Sequence, residues 1–151
     1  MSSKTLTQFL VEANAKGYAA GVEEKKEKDG SSTITYESGG FRMHDNFFGG
    51  EPYGGREVVF YKGKPYWIMV YYGEVEKGID KDEVYEFLKI ALRKVPKDAP
   101  LRGPKKFKRR KWEYENKWEG DVEKFKGEEV ILKDGKKVYW AGYLGGLIDQ
   151  S

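Results

Sequence analysis

Apolar residues recur every three or four positions in two stretches of the chain, the spacing that places them on one face of a helix. They are Leu6, Phe9, Leu10 and Ala13 in the first stretch and Val84, Phe87, Leu88, Ala91 and Leu92 in the second. Thr5 and Asp80 precede these stretches as candidate N-caps, because their side-chain oxygens can accept hydrogen bonds from the first backbone amides. A glycine and a proline follow as stop signals. The pattern predicts helices over Thr5–Lys16 and Asp80–Lys94.

Most of the remaining chain alternates apolar and polar residues over short runs, which is the period of a β-strand. Seven such runs occur: Thr33–Glu37, Phe41–Phe48, Glu57–Tyr61, Lys64–Tyr72, Trp112–Trp118, Val130–Lys133 and Lys136–Leu144. The Asp134-Gly135 pair is a strong hairpin signal, because a type I′ turn needs positive φ at both central residues. Short hairpin connections of this kind predict an antiparallel sheet.

The two halves of the chain resemble each other. At an offset of 72 residues, Gly55, Glu57, Val58, Gly63, Lys64, Tyr71 and Gly73 fall on Gly127, Glu129, Val130, Gly135, Lys136, Tyr143 and Gly145. Convergent hairpin chemistry is the alternative, but a chance register seldom repeats so many elements at correct spacing. We therefore predict a single domain over residues 1–151 that is internally duplicated, with halves at about 5–73 and 80–146.

The expected fold class is α+β. Two helix-plus-antiparallel-strand repeats would form a curved antiparallel sheet of about seven strands, with the two helices on one face. In this arrangement the apolar side chains of the other face of the sheet would be exposed to water unless something else covered them. The second half, another subunit or a ligand could supply this cover.

The register of the first hairpin assigns its side chains to faces. A two-residue turn sets Glu57 opposite Ile68, so that Glu57 shares a face with Tyr72 while Trp67 and Tyr71 occupy the opposite face. Both faces are rich in apolar side chains, so we predict that Glu57 is a partly buried acid with a raised pKa on the floor of a cavity. The alternative is a structural role, in which Glu57 bonds a turn backbone or a cation across the sheet.

Composition narrows the class of protein. The 151 residues include 22 Lys and 17 Glu but no Cys. The absence of Cys excludes disulfide frameworks and thiolate metal sites, and the Lys and Glu bias is typical of a chain adapted to heat. We find no long apolar run and no signal-peptide pattern, and so predict a cytoplasmic protein with no membrane partner.

One segment is strongly basic. Residues 97–111 carry a net charge of +7, and Trp112, Tyr114 and Trp118 follow on one face of a predicted strand. Phosphate neutralisation beside aromatic rings is how single-stranded nucleic acids are bound. The candidate contacts in Lys97–Lys111 are Lys105, Lys106, Lys108, Arg109 and Arg110. A solvated loop before an ordinary core-facing strand explains the same pattern, so nucleic-acid binding stays an alternative.

Catalytic signals are weak. The sequence contains no nucleophile elbow, phosphate-binding loop or zinc-protease motif. His44 is the only His, and it points away from the neighbouring Asp45 on a strand, so the two do not form a dyad. Asp45, Glu51 and Glu57 offer oxygen ligands, but their spacing matches no known metal-binding loop. We predict neither a metal nor a cofactor.

Several strings of the sequence are distinctive. They are Asp45-Asn46-Phe47-Phe48-Gly49-Gly50, Gly63-Lys64-Pro65-Tyr66-Trp67, Tyr71-Tyr72-Gly73, Pro100-x-Arg102-Gly103-Pro104 and Tyr143-x-Gly145-Gly146. In these strings the protein resembles a family of small prokaryotic domains of unknown function, and the resemblance extends over nearly the whole chain. Members of that family occur alone or behind an XRE-type helix-turn-helix. The resemblance implies no catalytic residue or substrate, but it implies a ligand-sensing role by analogy.

The function that these observations favour is a small-molecule or partner-binding module without catalysis. The predicted ligand contacts are Glu57, Trp67, Tyr71, Tyr72, Arg102 and His44. Tyr and Trp faces attract both apolar groups and cations. The enzymatic alternative is a hydrolase or lyase with Glu57 as general acid/base and Tyr72 or Arg102 polarising the substrate. A homodimer that buries the spare apolar face is a purely structural alternative.

Overall fold

The computed structural model describes residues 5–17 and 24–151. The two helices are α1 (Leu6–Lys16) and α2 (Lys81–Leu92). The strands are β1 (Lys25–Lys26), β2 (Ser32–Ser38), β3 (Phe41–Phe48), β4 (Tyr53–Tyr61), β5 (Lys64–Val75), β6 (Lys106–Arg109), β7 (Trp112–Asp121), β8 (Lys124–Lys133) and β9 (Lys136–Leu147). All pair antiparallel in one sheet of order β1-β2-β3-β4-β5-β9-β8-β7-β6.

Both predicted helices are confirmed. In α1 the Thr5 hydroxyl accepts a hydrogen bond from the Gln8 amide at 3.1 Å, and the Gln8 side chain accepts one from the Thr5 amide at 2.9 Å. This reciprocal capping box satisfies two amides that a helix start leaves unpaired. Asp80 caps α2 by accepting from the Asp82 amide at 2.9 Å. Within the described residues, neither helix has the length and apolar character that crossing a membrane requires.

The predicted fold class was wrong. The sheet has nine strands rather than about seven, and strands, not repeats of a helix and strands, account for most of the described chain. The helices are short: α1 packs against β2 and β3, and α2 packs against β7, so they do not form a layer over the sheet. Strands β1 and β6 were missed because their Lys and Arg residues show no apolar alternation. The internal duplication stays a prediction.

The predicted register of the first long hairpin was also wrong. A β-bulge lies between Val59 and Phe60, and a second lies between Ile131 and Leu132. Glu57 therefore pairs with Met69 instead of Ile68. Because side chains alternate along a strand, a slip of one residue exchanges the two faces. Glu57 consequently shares its face with Trp67, and Tyr72 lies on the opposite face.

We call the face that carries Met43, Val59 and Trp67 the inner face and the opposite one the outer face. Two hydrophobic clusters lie on the inner face, and besides strand residues one includes residues of α1 and the other residues of α2. Residues 93–105, here called the connecting segment, lead from α2 to β6, and their Leu101 is fully buried in the α1 cluster. The protein's own side chains thus fill the place where the sequence predicts a hollow.

Candidate functional site

The inner face contains a fully buried carboxylate, Glu129 of β8. Arg102 of the connecting segment donates through Nη2 to Oε1 of Glu129. Tyr139 donates to the same oxygen at 3.0 Å, and Tyr114 donates to Oε2. A carboxylate removed from water needs such donors to replace its hydration. Both oxygens of Glu129 are therefore satisfied from within the protein.

Tyrosine rings surround the partner of this carboxylate. The guanidinium carbon of Arg102 lies 5.6 Å from the centroid of the Tyr71 ring, a cation–π distance. Its Nη2 is 3.4 Å from the Tyr53 hydroxyl. Tyr53 in turn bonds the Tyr139 hydroxyl and sets its ring 5.9 Å from that of Tyr71. We call Glu129, Tyr53, Tyr71 and Tyr139 the tyrosine cage, and Arg102 occupies it.

Burial controls the protonation of the cage. It raises the pKa of Tyr53 and of Tyr139 above 10.0, and the charge of Glu129 acts in the same direction. Burial also opposes the charged form of Arg102, but the attraction of Glu129 raises the pKa of Arg102 well above its ordinary value. At neutral pH the hydroxyls therefore keep their protons, and Arg102 keeps its charge.

Two more tyrosine–carboxylate pairs extend this polar region. Tyr71 donates to Oδ1 of Asp45 at 2.5 Å, and burial followed by the charge of Asp45 raises the pKa of Tyr71. Tyr85 of α2 donates to Glu51, which also accepts from the Val75 amide at 2.8 Å. The polar region thus ties α2 to the sheet.

The six predicted ligand contacts do not form one site. Glu57, Trp67, Tyr71 and Arg102 lie on the inner face, whereas Tyr72 and His44 lie on the outer face. Of the inner four, the structure brings Tyr71 and Arg102 together beside Glu129, and the charge of Glu57 also acts on Tyr71. Because Tyr72 and Glu57 face opposite sides of the sheet, Tyr72 cannot assist Glu57 on one substrate. Arg102, the other polarising residue of the enzymatic alternative, is held by Glu129.

Trp67 and Glu57 are both core residues in this structure. Trp67 is fully buried, donates Nε1 to the Val122 carbonyl at 2.8 Å and stacks on Phe125 with 5.6 Å between ring centroids. Glu57 is 6% exposed and faces Asp45 across the β3–β4 pair. Neither side chain is open to a ligand from solvent.

His44 is partly buried on the outer face, between Thr35 of β2 and Val58 of β4. Burial lowers its pKa, and the nearby positive charges of Arg42 and Arg56 lower it further. The imidazole is therefore held in its neutral form more strongly than in an unfolded chain.

An open groove of about 830 Å³ crosses the outer face over β5, β9, β8 and β7. Its apolar strip consists of Val70, Tyr72 and Leu144, which are 40%, 50% and 57% exposed. We call this the outer groove. A methyl group placed on Gly142 would meet the Trp140 ring at 3.0 Å, so that ring lies over the glycine. Of the predicted ligand contacts, Tyr71 and Tyr72 are among the residues that line the groove. The equal apolar character of both faces of β9 is the signal that could have identified the others.

Charged side chains form the rim of the outer groove. They are Lys117, Glu119, Lys126 and Glu128. Lys126 pairs with Glu119 at 3.6 Å, and Glu128 accepts from the Trp140 indole at 2.9 Å. Among the residues that the structure describes, no ion pair involves Lys117.

The basic segment forms part of a sheet edge. Lys106–Arg109 is the outermost strand, β6, and lysine-rich edges protect a sheet from pairing with other chains. Tyr114, one of the predicted stacking residues, is fully buried, and Trp112 stacks on Phe87 of α2 at 5.5 Å. The positive charges that nucleic-acid binding would use therefore lie at the sheet edge, but the rings of Tyr114 and Trp112 are engaged in packing and are not free to stack on bases.

For residues 5–17 and 24–151, no group of three His, Cys, Asp or Glu side chains is arranged to hold a metal ion. Of the three carboxylates considered from the sequence, Glu51 bonds Val75 and Tyr85, and Asp45 bonds Tyr71.

Comparison with known proteins gives a family but no characterised relative. A family model described as a domain of unknown function, DUF5680, matches residues 45–148. Neither the curated proteins nor the solved structures contain a match. The matched span includes the whole tyrosine cage, Arg102 and the outer groove, and it covers more than half of the chain. The chain therefore belongs to the DUF5680 family of domains of unknown function.

Proposed function

We propose that this domain is a binding module without catalysis, and that its outer groove takes a small planar molecule with one anionic group. The observation that carries the proposal is the exposed apolar strip of Val70, Tyr72 and Leu144 at the centre of the sheet. Contiguous exposed apolar surface with a polar rim is typical of ligand-binding surfaces.

The shape of the groove favours a flat ligand. The Tyr72 ring lies over Gly54, where an added methyl group would approach it to 3.1 Å, as the Trp140 ring lies over Gly142. Rings that lie along the sheet leave broad faces on which another ring can stack. Because glycine has no side chain, nothing projects between them.

The charges of the rim favour an anionic group at one end. Glu119 is paired with Lys126, and Glu128 accepts a hydrogen bond from the Trp140 indole, so neither acid is paired with Lys117. Lys117 remains available for a carboxylate, sulfonate or phosphate. Since the two acids of the groove are already bonded, the proposal assigns them no acid–base role.

The resemblance to domains that follow a helix-turn-helix gives such a module a place in ligand sensing. In this proposal the domain binds a metabolite and associates with a separate protein that binds DNA.

Two dyes test the groove. Anilinonaphthalene sulfonate is a planar anion, and N-phenylnaphthylamine is its neutral analogue. We expect both dyes to bind with an increase in fluorescence. Leu144→Ala should weaken the binding of both dyes about tenfold, because it removes apolar contact area. Leu147→Ala is the matched control, since Leu147 lies on the same strand and is 42% exposed but does not line the groove.

The charge is tested separately. Lys117→Gln should weaken the binding of the anionic dye about fivefold and leave the binding of the neutral dye unchanged, because it removes one exposed charge interaction. Equal effects of Leu144→Ala and Leu147→Ala would refute the groove as the site. Sedimentation at the same protein concentrations tests whether the chain forms a dimer. A dimer that dissociates on Tyr72→Ala would show that a second copy of the chain, and not a ligand, occupies the outer groove.

A further inference from the structure

We propose that the tyrosine cage is a binding site for a small organic cation, a guanidinium or primary ammonium compound, and that Arg102 is a tethered occupant which this ligand displaces. The site is independent of the outer groove, because the two lie on opposite faces of the sheet.

The cage has the chemistry of a cation receptor. Glu129 supplies a fully buried carboxylate, and the Tyr71 ring supplies a π-face at 5.6 Å from the bound guanidinium. The Tyr53 hydroxyl, 3.4 Å from Nη2 of Arg102, can accept a further hydrogen bond. Carboxylates and aromatic faces are the groups that bind guanidinium and ammonium ions.

Arg102 fills this receptor imperfectly. Its φ of 114° lies in the region that favours glycine, so its backbone is strained. In the described part of the chain, its Nε is the one buried side-chain nitrogen or oxygen without a hydrogen-bond partner. A buried donor left unpaired weakens the bound state. A free cation, which is not tethered to the connecting segment, could place its donors without leaving one of them unpaired.

The backbone around Arg102 has anchors besides the Arg102 side chain. Leu101 is fully buried on one side. On the other side, the Gly103 amide donates to the Tyr114 hydroxyl at 3.0 Å, and the Gly103 carbonyl accepts from Asn116 at 3.0 Å. The Arg102 side chain retains 14% exposure. It can therefore swing into solvent while the connecting segment stays in place.

Displacement would convert binding into a signal. The ligand would replace the charge of Arg102 beside Glu129, so the cage would remain neutralised. Arg102 would then present its guanidinium on the surface, where a partner could recognise it.

The test is a titration with methylguanidinium, followed by the Gly103 amide resonance, with methylurea as the neutral control. Arg102→Met keeps much of the apolar volume of the side chain and removes its charge. We expect saturable binding to Arg102→Met at least about tenfold tighter than to the parent, because no tethered competitor remains. Arg56→Met, which removes an exposed arginine from the outer face, should bind like the parent.

Glu129→Gln in the Arg102→Met background should abolish the binding. The parent gives a second measurement that needs no variant, because saturation with methylguanidinium should move the Arg102 Nε–H resonance to the position of an exposed arginine. An unmoved resonance at saturating concentration would overturn the proposal. Equal responses to methylguanidinium and methylurea, or binding that survives Glu129→Gln, would overturn it as well.

Discussion

Trp67 and Tyr72 lie on the same strand and belong to opposite faces, so substituting each of them should distinguish the core from the outer groove. Trp67→Ala should lower the free energy of unfolding by about 3–5 kcal/mol, since a fully buried ring and its bond to Val122 are lost. Tyr72→Ala should change it by less than about 0.5 kcal/mol, because the ring is half exposed. Urea unfolding measures both, and equal losses would place Tyr72 in the core.

His44 makes stability depend on pH in a defined direction. Its pKa in the folded state is lowered from 6.5, first by burial and then by Arg42 and Arg56. The unfolded chain therefore binds the proton more readily, and protonation favours unfolding. This contribution to stability is fully present above pH 6.5 and is lost as the pH falls from there through the folded-state pKa.

We expect urea midpoints of the parent to fall on acidification below pH 6.5, and the fall to be smaller in His44→Gln. Carboxylates contribute to both proteins alike, so the difference between the two curves isolates His44. A parent and variant with parallel curves would show that the imidazole titrates normally.

At the level of elements, local signals were sufficient for both helices and for the hairpin turns. Thr5 and Asp80 cap the helices as expected, because capping depends on residues within one turn. The bulge after Val59 has no such signal, since neither Val59 nor Phe60 is a glycine, and its pairing is set by neighbouring strands. That single bulge moved Glu57 away from Tyr72.

The candidate site was also only partly predictable from the sequence. The residue types of Arg102 and Tyr71 were enough to propose them as ligand contacts, and the internal match singled out Glu129 as the counterpart of Glu57. Their meeting could not be predicted, because it depends on how the connecting segment crosses the inner face. Leu101 and Gly103 position that segment through contacts with residues distant in sequence.

One glycine of β8 has a structural requirement that can be tested. A methyl group at Gly127 would lie 2.4 Å from the ring and hydroxyl of Tyr143, and 2.8 Å from the Lys117 carbonyl. Gly127→Ala should therefore lower the free energy of unfolding by about 1–3 kcal/mol through overpacking. Gly50→Ala is the control, because its methyl group would meet nothing within 4 Å. Similar thermal stabilities of the two variants would contradict this packing.

Considered as a whole, the molecule assigns different chemistry to its two faces. The inner face joins α2, the connecting segment and both halves of the sheet through tyrosine hydroxyls and buried carboxylates. The outer face leaves apolar side chains in solvent at its centre. A variant of either face should therefore leave binding at the other unchanged, which keeps the two proposals separable.

The inner tyrosines should make the whole fold sensitive to alkali. Burial is the first cause that raises the pKa of Tyr53, Tyr71, Tyr114, Tyr139 and Tyr143 above 10.0. An unfolded chain loses these protons first, so their stabilising contribution is complete below pH 10 and is lost as the pH rises through the folded-state values. We expect tyrosinate absorbance and circular dichroism to show one cooperative transition above pH 10.

Tyr143→Phe removes one titrating group and should make the decline in stability with rising pH shallower. It also lowers stability at neutral pH, because the Asn116 side-chain oxygen loses its bond to Tyr143. Ionisation of all 11 tyrosines near their ordinary pKa with unchanged circular dichroism would show that the inner face is open to water.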